Sequence, residues 1–119
     1  MTQKEVITRI VKTLDSKKAE DIQIIGIKDL TIIADYFIIA NGTSTTHTKT
    51  LADEVEHQLS KAGVNPTRVE GYNGASWIVL DYSDIIVHIF YKETRDFYKL
   101  ERLWSDGEYV NVNEFLGEE

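Results

Sequence analysis

The sequence predicts an α/β (α+β) domain in which helices flank a mixed sheet of about five strands. Short runs rich in β-branched residues are typical of buried strands, whereas apolar residues at steps of three and four are typical of helices. In this chain one helical segment falls between two strand-like runs, and short turns join the last three runs. A helical crossover and an antiparallel meander within one sheet make that sheet mixed.

Two amphipathic helices are predicted from the spacing of apolar side chains. The first covers residues 3–16, where five apolar residues fall on one helical stripe and Thr2 can cap the amino end. The second covers about residues 45–62 and is followed by Gly63, a residue that commonly terminates helices. These helices supply the layer that a sheet of this size needs against one of its faces.

The strand-like runs are bounded by turn residues and cover residues 22–27, 35–40, 67–70, 76–81 and 85–91. Residues 94–104 fit a short helical turn, and residues 105–119 show only a weak pattern. The chain of 119 residues is therefore expected to form a single domain over residues 1–119.

Composition restricts the chemistry and the partners. The chain has no cysteine, which excludes disulfides, thiolate metal sites and cysteine nucleophiles. With no apparent export signal or apolar run long enough to span a bilayer, a cytoplasmic location is expected. The formal charge of −7 should repel free nucleic acid and anionic membranes and suits a neutral or basic protein partner. Plain solubility explains the same charge equally well.

Asp81 and Asp84 are candidates for a metal-binding pair in phosphoryl transfer, with Ser44 in a glycine-serine turn upstream. That chemistry needs two carboxylates on one face of a strand, and a separation of three residues puts them on opposite faces. The spacing favours turn-forming aspartates and an ordinary helix cap at Ser44. A nucleotidyltransferase remains the alternative hypothesis.

The three histidines do not form a catalytic or metal-binding pattern. His88 lies in a strand, and its ring should face the same side as Ile86 and Phe90, which is typical of a core or interface histidine. His47 and His57 are ten residues apart on the second helix, unlike the four-residue step of a helical zinc site, and are interpreted as solvated. No cofactor or metal is expected.

Residues 77–104 are the candidate functional segment, because they concentrate large rings and arginines, the residue types enriched in interface hot spots. The same rings could belong to the core, and both interpretations stay open. If residues 92–102 were one helix, four basic residues would share a face. The candidate contact residues are Trp77, Tyr82, His88, Lys92, Arg95, Tyr98 and Trp104.

Motifs spread over about residues 22–105 make the chain resemble the Iojap-like ribosomal silencing factors. They are Asp35–Ser44, Glu70–Gly71, Trp77–Tyr82, Val87–Phe90 and Arg95–Trp104. Each motif alone is common, but their order and spacing together are highly specific. The resemblance implies a mixed five-stranded sheet with flanking helices, related to the nucleotidyltransferase fold but without its catalytic acids.

The resemblance also implies a function that requires no catalysis. Proteins of this family are understood to bind ribosomal protein uL14 (L14) of the large subunit and to block the small subunit sterically. Translation is thereby lowered when nutrients are limiting, and homodimers are commonly described. The leading hypothesis is accordingly a non-enzymatic anti-association factor, and a third possibility is a dimerisation module whose exposed rings pair with a second copy.

Overall fold

Six strands form one mixed sheet in the computed structural model, which describes residues 1–116. The strands are β1 Glu20–Gly26, β2 Tyr36–Gly42, β3 Arg68–Glu70, β4 Trp77–Asp81, β5 Ile85–Tyr91 and β6 Glu108–Val110. Their spatial order is β3-β4-β5-β2-β1-β6. Only β2 and β5 pair in parallel, and the other neighbouring strands are antiparallel. The predicted crossover and meander are both confirmed.

Two long helices and three short ones accompany the sheet: α1 Gln3–Ser16, α2 Thr45–Ser60, α3 Lys92–Tyr98, α4 Leu100–Leu103 and α5 Asn113–Leu116. The amino end of α1 is a capping box, because Thr2 Oγ1 accepts from the Glu5 N–H and Glu5 Oε1 accepts from the Thr2 N–H. No helix within residues 1–116 is both long and apolar enough to cross a bilayer.

The strand count differs from the prediction by one, because β6 lies in the tail that showed only a weak pattern. It has three residues and pairs with β1 at the edge of the sheet. Short edge strands carry little alternation of apolar and polar residues, since much of their surface stays in solvent. A local pattern therefore could not identify β6, which adds one strand to the mixed sheet of about five strands that the sequence predicted.

Alternating side chains divide the interior into two cores on opposite faces of the sheet. Along β5, Val87 and Ile89 face α1 and α2, whereas Ile86 and Phe90 belong to the core on the other face. The helix-covered core is the larger and includes fully buried residues of both long helices. The second core is smaller and is bordered by half-buried tryptophans, so this face of the sheet carries the candidate site.

Candidate protein-docking site

Five rings lie in sequence across the face of the sheet that α1 and α2 leave uncovered. Successive ring centroids are separated by 5.1, 6.0, 4.5 and 5.3 Å. All of these spacings lie in the range of aromatic contact. We call this set the ring row, and in order it consists of Tyr98, Trp77, His88, Phe37 and Trp104.

Strand register places the middle of the ring row. His88 on β5 lies between Ile39 of β2 and Val79 of β4, so its side chain shares a face with their neighbours two residues away. Those neighbours are Phe37 and Trp77. Helices α3 and α4 follow β5 directly, and their ends bring Tyr98 and Trp104 to the two ends of the row.

A hydrogen bond joins the two central polar rings. Trp77 Nε1 donates to His88 Nδ1 over 3.0 Å, so the histidine is neutral and carries its proton on Nε2. Burial lowers the pKa of His88 to about 4, because the charged form would lose its hydration. The buried Nε2 has no hydrogen-bond partner among the described residues. The sequence placed this ring correctly on the face of Ile86 and Phe90.

This depressed pKa predicts a pH dependence of stability. In the unfolded chain His88 binds a proton near its ordinary pKa of about 6.5, whereas in the folded chain it does so only near 4. The contribution of His88 to the free energy of unfolding is therefore fully present well above pH 6.5. It falls as the pH drops toward 4, by up to about 1.4 kcal/mol per pH unit.

Urea unfolding at pH 7.0 and 5.5 measures this dependence, with His88→Asn as the reference. The asparagine variant has no group to titrate at this position and should lose less stability between the two pH values than the parent. An equal loss in both proteins would contradict the assignment to His88.

Large apolar side chains remain exposed on α3 and α4, the helices that supply the two ends of the ring row. Phe97 is 79% exposed, Leu103 is 76% exposed and Tyr98 is 53% exposed, while Trp77 and Trp104 are half-buried. Phe97 also packs edge-on against Tyr98, with centroids 5.1 Å apart. Clustered exposed apolar residues on a small domain mark protein-binding surfaces. The contact residues predicted from the sequence did not include Phe97, Leu103 or Phe37, because no local pattern distinguishes an exposed apolar side chain from a buried one.

Arg95, predicted as a contact residue, is instead buried, with only 4% of its surface exposed. Its Nη1 donates to the Asp21 carbonyl and to Asn41 Oδ1, at 2.8 and 2.9 Å. Its Nε donates to Glu101 Oε2 at 3.0 Å, and Nη2 lies 3.4 Å from Asp21 Oδ2. The guanidinium thus fastens α3 and α4 to β1 and β2.

The basic residues of α3 and α4 do not share one helical face. Lys99 adopts a left-handed conformation with φ of 49°, which ends α3 and separates it from α4. Lys92, Lys99 and Arg102 nevertheless border one cleft of about 250 Å3, together with Arg95 and four acidic residues. The mixed charge of this cleft provides no strong preference for an anion.

Tyr82, another predicted contact residue, lies on the opposite face from the ring row. It packs against the helix-covered core, and its hydroxyl is buried without a partner among the described residues. Burial raises the pKa of this hydroxyl well above its ordinary value. The structure therefore brings Trp77, His88, Tyr98 and Trp104 together, places Lys92 at the neighbouring cleft, and separates Tyr82 from them.

The residues considered for catalysis have structural roles. Asp81 Oδ1 accepts from the Ser83 N–H at 2.8 Å, as expected for a turn aspartate, and Ser44 caps α2 by accepting from the His47 N–H. His47 is not merely solvated, because its ring accepts from the Thr43 N–H and donates to the Lys17 carbonyl. Within residues 1–116 no group of three or more His, Asp or Glu side chains could hold a metal ion.

An apolar row of rings with an exposed rim, on a fold in which Asp81, His47 and His88 take part in internal hydrogen bonds, is typical of a protein-binding module. The family model described as "Ribosomal silencing factor during starvation" matches residues 1–119. The chain belongs to this family, whose members are non-enzymatic factors that bind the ribosome. The Iojap-like resemblance is thereby confirmed, and the nucleotidyltransferase alternative is set aside.

Individual relatives agree with this assignment over nearly the whole chain. The ribosomal silencing factor of Bacillus subtilis is 33% identical over 113 residues, which cover 95% of this chain and 96% of that protein. The Halalkalibacterium halodurans factor is 35% identical over 112 residues, covering 94% and 96%. A Chromobacterium violaceum crystal structure superposes with a TM-score of 0.86 at 31% identity, covering 93% of this chain and 92% of that one.

Proposed function

We propose that this chain lowers translation by docking its ring row on ribosomal protein uL14 of the large subunit and excluding the small subunit. The observation that carries the proposal is the exposed apolar rim of Phe97, Tyr98 and Leu103 beside the half-buried Trp77 and Trp104. Interface energy concentrates where large rings become fully desolvated, and a rim of this kind would complete that desolvation on binding.

Charge supports the choice of a ribosomal protein as the partner. The chain carries a formal charge of −7 and is therefore expected to associate readily with a basic protein, while its overall field discourages stray binding to RNA. Charged residues near the rim, including Lys92 and Lys99 at the neighbouring cleft, would set the register of the complex. The proposed site of action is the cytoplasm.

Size supports a steric mechanism. The described chain measures 33 × 30 × 28 Å, which is large compared with the few ångströms that separate atoms across a subunit interface. A rigid body of this thickness, held at the joining surface, prevents the contacts of the incoming subunit by overlap alone. The mechanism therefore needs affinity and bulk, and no chemical step.

We also propose that the chain forms homodimers. A surface rich in exposed rings can bury itself against the same surface of a second copy around a two-fold axis. Such pairing would protect the apolar rim in the absence of the ribosome. Dimerisation and docking on uL14 would both be driven by burial of this exposed apolar surface.

A sucrose gradient with separated ribosomal subunits tests the proposed function. The parent protein should travel with the large subunit and suppress formation of the 70S particle. Leu103→Asp should remain at the top of the gradient, because a charge would be buried in the proposed contact. The matched control is Val69→Asp, which changes an exposed apolar residue of β3 at the sheet edge and should behave like the parent. A parent protein found only at the top would refute the proposal.

A further inference from the structure

An open groove of about 1,040 Å3 runs between α1 and α2, on the face of the sheet opposite the ring row. Its thirteen lining residues include four basic side chains and two acidic ones, so the groove sums to +2 in a chain whose formal charge is −7. The basic residues are Lys4, Arg9, Lys12 and Lys17. This concentration of positive charge against the overall charge indicates an anionic partner.

The two acids of the groove accept hydrogen bonds, whereas its lysines form no ion pair with any residue of 1–116. Glu5 Oε1 accepts from the Thr2 N–H at 2.8 Å, and Glu54 Oε2 accepts from Gln58 Nε2 at 3.1 Å. Both hydrogen bonds lower the pKa of their carboxyl groups and keep them ionised. The ion pairs found within residues 1–116 involve only Arg68 and Arg95 as cations. No acidic side chain in the described part of the chain therefore competes with a ligand for the lysine ammonium groups.

A regular row of polar groups runs along α1 beside the groove. Lys4, Thr8, Lys12 and Ser16 follow one another at four-residue steps, about 6 Å apart along the helix axis. The hydroxyls of Thr8 and Ser16 donate to backbone carbonyls, so their oxygens remain acceptors for an outside donor. Ammonium donors therefore alternate with hydroxyl acceptors along this helix.

From this arrangement we infer that the groove contacts the phosphate and ribose backbone of RNA beside the docking site on the large subunit. Lysines suit the phosphate oxygens, and the hydroxyl oxygens can accept from ribose 2′-OH groups. The inference rests on the proposed function, because the ring row must first hold the chain on the ribosome. Tethering raises the effective concentration of the second contact, so weak affinity for free RNA is expected in this acidic chain.

An acidic protein segment would fit the groove less well. None of the thirteen lining residues is aromatic, and the lining consists mainly of charged, hydroxyl and amide side chains. Protein interfaces usually place aromatic or large apolar residues at their centre. Contacts to a nucleic-acid backbone instead use Lys, Arg, Ser, Thr and Gln side chains without such a centre.

Salt dependence of binding to purified large subunits tests the inference. The double variant Lys4→Gln/Lys12→Gln should reduce the magnitude of the slope of log K against log salt concentration by about 1.5. Each lost phosphate contact removes roughly 0.7 to 0.9 from this slope. The control Lys18→Gln/Lys61→Gln removes the same charge outside the groove lining and should keep the parent slope. Equal slopes for the two double variants would overturn the inference.

Measuring binding to isolated uL14 distinguishes failure of this inference from failure of the proposed function. The groove variant should bind uL14 as tightly as the parent, because the ring row is unchanged. A parent that does not bind uL14 would refute the proposed function, whereas normal uL14 binding with equal salt slopes would refute only the groove contact.

The absence of cysteine allows a direct test of what the groove touches. Thr8→Cys introduces one thiol that can carry a photoreactive group beside the groove. Cross-linking on the large subunit should attach the chain to ribosomal RNA. Attachment to a ribosomal protein alone would overturn the inference in favour of an acidic protein partner.

Discussion

Replacing Trp77 with alanine is expected to weaken binding to purified uL14 by about 2 kcal/mol or more, which is roughly 30-fold in Kd. The indole stacks on Phe90 with centroids 4.8 Å apart and lies 5.1 Å from Tyr98. Its removal would leave a hydrated gap between Tyr98 and His88 in the ring row. Titration calorimetry with uL14 measures the loss directly.

Tyr98→Ala provides the comparison that separates binding from folding. Tyr98 is 53% exposed, so its truncation should weaken binding while changing the melting temperature little. Trp77→Ala should lower both, because the indole also donates to His88. If both variants bind uL14 as tightly as the parent, the ring row is not the docking surface. Sedimentation of the same variants shows whether the rings also hold the proposed dimer together.

Replacing Arg95 with methionine is expected to destabilise the fold by about 3 kcal/mol, at the low end of the 3 to 5 kcal/mol typical of a broken buried ion pair. The low end applies because the Asp21 side chain is 63% exposed and can be rehydrated. Glu101 is only 22% exposed and would be left beside an apolar group, together with the Asn41 amide oxygen. Urea unfolding at pH 7 measures the loss.

Arg102→Met is the matched control for this prediction. Arg102 is exposed and lies seven residues further along the same segment, so its replacement should change the free energy of unfolding by less than about 0.5 kcal/mol. Adding Glu101→Gln to the parent and to Arg95→Met completes a double-mutant cycle, and a coupling near zero between Arg95 and Glu101 would contradict the buried pair.

Local patterns in the sequence identified much of the fold correctly. The first helix was predicted over residues 3–16 and extends from Gln3 to Ser16, with Thr2 at its cap as expected. The strand β5 was predicted from its run of β-branched residues, and the facing of His88 from the alternation of side chains along a strand. These features depend on contacts between residues a few positions apart, where side-chain periodicity is informative. The concentration of rings in residues 77–104 likewise indicated the segment that supplies four of the five rings of the ring row.

The sequence by itself determined the two long helices, five of the strands, the family and the segment that carries the rings. Tertiary structure decided which of those residues are exposed. Arginine is usually a surface residue, yet Arg95 donates hydrogen bonds to Asp21 and Asn41, which are 74 and 54 residues away. Tyr82 follows Trp77 closely but packs on the opposite face. Burial depends on contacts between distant segments, and local periodicity does not report those contacts.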